Sequence, residues 1–214
     1  MLERRYPKHE YRGFLGLFKR NEYVIIASAA IFFGSLFAGY LLSPLIDHFM
    51  SEALRSFKDS ISKGVIQLNT YSIFLNNIKI AFSLYGFGLS FGLFTFLMLA
   101  YNGIFIGYVA SQYNLGDFII FTVPHGIFEI SGIIIAGAAG FRLASTLIHI
   151  IMDIFKIKRY VPIKEQLGDI LDYNYYEFID SLKLFLIAAI LILIAAFIEA
   201  NFTLTWGNYI RGIL

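Results

Sequence analysis

Apolar residues gather in five runs, at about residues 23–46, 76–101, 103–115, 118–151 and 182–200. Each is read as one membrane crossing, because a helix needs about 20 apolar residues to span the hydrocarbon core. Between the first two runs the pattern changes. Phe49, Met50, Ala53, Leu54, Phe57, Ile61 and Val65 keep a helical spacing, while Glu52, Arg55, Lys58, Asp59 and Lys63 occupy the other face. That pattern over 47–68 predicts an extracytoplasmic amphipathic helix that lies along the membrane instead of crossing it. Asn102–Gly103 reads as a tight turn between the second and third runs. The third run is short for a crossing, which predicts tilt or length borrowed from its flanks. The fourth is longer than a bilayer requires and contains Pro124, followed by Gly126. It predicts a broken helix, with a short piece up to residue 123 and a new helix starting near Pro124, where the missing N–H costs nothing.

Small residues recur at helical spacing within these runs. Ala30, Gly34 and Ala38 form one stripe, and Gly88/Gly92, Gly103/Gly107 and Gly132/Ala136/Gly140 form others. In lipid such faces are where helices approach closely, since apolar contact alone gives no preference for protein over lipid tails. The expected fold class is an all-α polytopic membrane helical bundle of about five crossings. It is a single domain over 23–214, with helix-packing faces that also predict a homo-oligomer. Residues 167–181, rich in acidic and tyrosine side chains, are read as part of a polar loop before the last crossing.

Composition agrees with this pattern. Hydrophobic residues make up 58% of the chain and charged ones 15%, far from the balance of a soluble domain. A net charge of +2 is too small to point to nucleic acid, and the expected non-protein partners are membrane lipids. With no cysteine there is no disulfide, thiolate nucleophile or zinc–thiolate site. Arg4, Arg5, Lys8, Arg12, Lys19 and Arg20 make 1–22 a basic juxtamembrane segment, and Lys156, Lys158, Arg159 and Lys164 make the loop after 151 basic. The positive-inside rule puts both in the cytoplasm, so the N-terminus is expected inside a cell membrane and the C-terminus outside.

The ionisable residues inside apolar runs carry the candidate chemistry, because such groups are costly away from water. His125 and Glu129 lie four apart on one helix face, and Gly132, Ala136 and Gly140 continue that face. The predicted topology sets Asn76, Asn77 and Glu199 in the same leaflet. These five residues form a predicted polar intramembrane cluster. It serves either as a hydrogen-bonded pair that fixes helix register, or as an ion-, proton- or polar-substrate site. His125, Glu129 and Glu199 could hold a metal, but one His with two carboxylates is a weak signal, and no metal or cofactor is expected. No H-E-x-x-H or G-x-S-x-G pattern is present, so no catalytic residue is assigned. Arg142 is read as snorkelling toward the cytoplasmic interface.

The stretch PHGIFEISGIIIAGAAG (Pro124–Gly140) resembles the stage II sporulation protein M family of integral membrane proteins. Asn76–Asn77, Asn102–Gly103 with Gly107, and AAFIEA (Ala195–Ala200) extend the resemblance over most of the chain. The resemblance implies a membrane scaffold or remodelling component that acts through cell-envelope partner proteins. Family members of that kind work during engulfment in endospore formers, and others occur in organisms that do not sporulate. From the residues alone, the alternative is a transporter or channel-like protein built around His125/Glu129, and the third reading is an intramembrane hydrolase.

Overall fold

The computed structural model describes residues 13–157 and 162–213. Residues 1–12 of the basic N-terminal segment, and 158–161 of the basic loop with Lys158 and Arg159, lie outside the described residues. The elements are α1 (Gly13–Arg20), α2 (Glu22–Leu41), α3 (Ser43–Ser62), α4 (Thr70–Gly86), α5 (Leu93–Ser111), α6 (Leu115–Ile154), α7 (Ile163–Ile198) and α8 (Leu204–Arg211). Among the described residues no strand occurs. Helices α2, α5 and α6, and the run from α7 through α8, are long and apolar enough to cross a membrane. The 17-residue α4 packs beside α6 and α7.

Several boundaries differ from the hydropathy reading. The first crossing ends at Leu41 because Pro44 opens the next helix, in a position where its missing N–H leaves no bond unmade. The amphipathic helix accordingly runs over Ser43–Ser62, and Gly64, at φ +70°, takes the left-handed conformation just beyond it. The larger correction concerns 76–101. This run is not one helix: it breaks into a 3₁₀ turn at Phe87–Ser90, with Phe91 (φ 56°) and Gly92 (φ 83°) left-handed before α5 begins. Ser90 is the turn's main polar device, donating to the Phe87 carbonyl (2.6 Å) and accepting from the Phe94 N–H (3.1 Å). An apolar turn of this kind is invisible to hydropathy. Asn102–Gly103, by contrast, is mid-helix: Asn102 Nδ2 donates to the Met98 carbonyl one turn back (2.7 Å). Residues 103–111 of the 103–115 segment are therefore the second half of α5, and the rest is the turn into α6.

Pro124 does not break its helix either. Helix α6 runs unbroken for 40 residues with Pro124 inside it. Its start is set earlier by Asn114, whose Oδ1 accepts from the N–H groups of Gly116 (2.9 Å) and Asp117 (3.3 Å). Residues 167–181 are also helical, forming the first half of α7.

Glycines set the close approaches. Gly103 on α5 lies against the Phe32 carbonyl and Ser35 of α2, and Gly107 lies against the backbone of Leu36 and Tyr40. Positions advance together along both helices, so α2 and α5 run parallel. Gly88 and Gly140 place α4's terminal turn directly on α6: a Cβ on either would strike the other segment's backbone. Gly88/Gly92 thus work as a turn packed on α6 and Phe141, not as a helical pair. The Ala30/Gly34/Ala38 stripe faces away from the bundle, and the side of α2 used for packing carries Ser28, Phe32 and Gly39.

Candidate intramembrane polar site

Helices α6 and α7 pair antiparallel, and α8 extends that pairing through a π-helical turn at Glu199–Thr203. The register is regular. Asp117 pairs with Arg211, Phe121 rests on Gly207, His125 meets Thr203, and the Glu129 and Glu199 carboxylates converge. Each step is four residues on both sides, so one turn of α6 faces one turn of its partner. At the outer rung Arg211 Nε lies 3.0 Å from Asp117 Oδ1, and its guanidinium sits 6.0 Å from the Phe121 ring centroid. Phe121 fills the notch left by Gly207. Below it lies the polar site, about 12 Å along α6 from Asp117 at 1.5 Å per residue.

His125 Nδ1 lies 3.1 Å from Thr203 Oγ1. That hydroxyl also reaches the Ile198 carbonyl at 3.4 Å. A carbonyl only accepts, so we assign the hydroxyl proton to Ile198, with Oγ1 accepting from Nδ1–H. This assignment leaves Nε2 as the nitrogen facing Glu129, 3.9 Å from its Oε2. One donor atom each from His125, Glu129 and Glu199 lie within 4.8 Å of one another. The His125 and Glu129 side chains retain 13% and 21% exposure, so the site is enclosed but not sealed. Among the described residues neither carboxylate accepts a hydrogen bond; Glu129 has only its 3.9 Å contact with His125.

Of the five residues expected to meet, the structure brings His125, Glu129 and Glu199 together. Asn76 and Asn77 stand apart in hydrogen bonding: Asn76 Nδ2 donates to Asn77 Oδ1 at 3.2 Å, and among the described residues neither amide bonds to the three. Thr203 completes the site and was missed. Its signal was the four-residue step from Glu199 through Thr203 and Gly207 to Arg211, mirroring Asp117, Phe121, His125 and Glu129.

A second polar layer lies at the other end of the bundle, about 20 Å further along α6. Arg20 makes a two-pronged ion pair with Asp180 (2.8 and 2.9 Å), and Asn21 Nδ2 donates to the Leu17 carbonyl (2.8 Å). Arg142 does not snorkel: its Nε donates to Asn21 Oδ1 (2.6 Å) and Nη2 to the Arg20 carbonyl (3.0 Å). His149 contacts Glu177 at 2.9 Å, and Asn174 donates to Asp153 at 3.4 Å. Asn174, Glu177 and Ser181 lead into Leu184, Ala188 and Ile192 on one buried face of α7. The polar segment read as loop is thus the start of α7, its side chains bonded except at the buried Asn174 Oδ1.

An all-α bundle with four stretches able to cross a membrane and buried ionisable pairs defines an integral membrane protein. The stage II sporulation protein M profile matches residues 23–204. The chain belongs to the stage II sporulation protein M family. It is 36% identical over 150 residues to the uncharacterized protein MJ0793 of Methanocaldococcus jannaschii, covering 68% of this chain and 76% of that one. It is 26% identical over 194 residues to the uncharacterized protein MJ0706 of the same organism, covering 86% and 83%. No solved structure matches the chain.

Proposed function

We propose that this is a multi-pass membrane protein of transporter or channel-like type, whose working centre is the His125–Glu129–Glu199 site with Thr203. The observation that carries this reading is the contrast between the two polar layers. Polar groups that merely hold helices together are expected to be hydrogen-bonded, and the Arg20–Asn21–Arg142–Asp180 group is, with Asn174 Oδ1 the one buried atom of that layer without a partner among the described residues. The Glu129 and Glu199 carboxylates face each other and Nε2 without donors. Such a group of acceptors needs a proton or a cation among them, and carboxylates inside a membrane mark ion and proton paths. On the proposed orientation, with five crossings and the N-terminus in the cytoplasm, the site sits in the outer half.

The test is flux into liposomes holding the purified protein and a pH-sensitive or divalent-cation-sensitive dye, under an imposed gradient. The wild type is expected to pass protons or divalent cations, with Glu129→Gln and Glu199→Gln at least tenfold slower. A wild-type protein tight to both kinds of cation overturns the reading. That outcome would favour the scaffold or remodelling role, with cell-envelope protein partners or a second copy of the chain, which family membership supports.

A further inference from the structure

We infer that His125, Glu129 and Glu199 bind a divalent first-row transition-metal ion, with Thr203 holding the histidine in its ligating form. The inference rests on reading the cluster as a cation site, and it names the cation's class. Three features of the geometry lead there. The donor atoms already lie within 4.8 Å of one another. Bonds of about 2.0–2.2 Å from nitrogen and oxygen to a metal such as zinc require the donors to close inward by roughly an ångström, within the reach of side-chain rotation. The second feature is the tautomer. In the assigned tautomer Nδ1–H is held by Thr203 Oγ1, which leaves the Nε2 lone pair on the Glu129 side. Metal-ligating histidines are oriented in this way by a hydrogen bond on the other nitrogen.

Charge is the third feature. Two carboxylates and a neutral imidazole carry two negative charges, so a divalent ion leaves the site neutral inside the membrane, where uncompensated charge is expensive. The imidazole selects among divalent ions. Calcium takes six to eight oxygens and magnesium a near-ideal octahedron of them, whereas zinc, manganese and iron accept mixed nitrogen and carboxylate sets. Three protein ligands also leave a position open for water or a transported group.

The experiment strips the purified full chain with chelator in lipid nanodiscs and reloads it with Zn²⁺ or Mn²⁺. Metal content after desalting and pulsed EPR of the Mn²⁺ form are then read. Expected are about one ion per chain and nitrogen coupling from one imidazole, with at least tenfold weaker binding in Glu129→Gln and Glu199→Gln. His125→Gln should abolish the nitrogen coupling. Thr203→Val guards against loss of fold, since it leaves all three ligands in place, and it should weaken binding roughly tenfold to a hundredfold. A wild type that binds neither metal, or binding unchanged in Glu199→Gln and His125→Gln, overturns the inference. So does wild-type affinity in Thr203→Val. Proton flux without metal binding would defeat this inference and leave the transport reading standing. Metal binding without flux would do the reverse.

Discussion

Thr203 and Asn21 show what a small polar residue can do when the helix around it is buried. Each joins an ionisable side chain to a neighbouring backbone, Thr203 between His125 and Ile198, Asn21 between Arg142 and Leu17. Their surroundings differ. Asn21 is fully buried, and its amide both accepts from Arg142 and donates to the Leu17 carbonyl. Replacing it removes partners on both sides, the acceptor of the Arg142 Nε–H and the donor to the Leu17 carbonyl. Asn21→Ala is expected to lower stability by about 1–3 kcal/mol, measured by reversible SDS titration in mixed micelles, while cation binding at the other end of the bundle stays at its wild-type level.

Among the elements, α2 and α5 are held by backbone proximity. Gly107 has no room for a Cβ against Leu36 and Tyr40, whereas Gly34 faces open space on the same partner helix. Gly107→Ala is expected to cost about 1–3 kcal/mol, as overpacking does. Gly34→Ala should fall within about 0.5 kcal/mol of wild type in the same titration. The sequence pattern reached the apolar segments and the amphipathic α3, because burial in lipid is written directly in hydropathy. It could not reach the α4–α5 turn. Phe87, Gly88, Leu89 and Phe91 are as apolar as the helices they join, and Ser90 alone is too small a polar break to mark the left-handed backbone at Phe91 and Gly92. Asn102 and Pro124 misled for the opposite reason. Both are turn formers in water, yet here Asn102 bonds within its own helix and Pro124 lies inside a helix capped ten residues earlier. Tertiary packing overrides such local preferences.

Over the whole molecule, α6 and the α7–α8 run form a long antiparallel pair with a polar layer toward each end and apolar, glycine-rich packing between. At about 60 Å for α6, the pair exceeds a bilayer's hydrocarbon thickness roughly twofold, so its ends reach beyond the hydrocarbon. Half of the candidate site was legible from one helix alone, because His125 and Glu129 are four apart. Glu199 was placed only by depth, and Thr203 needed the register between two helices, which no single-helix periodicity contains. Asn76 and Asn77 share the predicted leaflet but bond to one another, and equal depth alone does not decide which side chains bond.

The layers divide the work: one, bonded except at the buried Asn174 Oδ1, holds the bundle, while the other keeps carboxylates short of partners for a cation. The unfolding free energy of the Glu129→Gln/Glu199→Gln double variant tests this most directly, because it requires no knowledge of which ion is handled. Measured by SDS titration in bicelles without added metal, the double variant should match wild type within about 0.5 kcal/mol or exceed it. A loss above about 2 kcal/mol, the size of breaking a satisfied buried bond, would show that these carboxylates hold the helices together and would contradict the account.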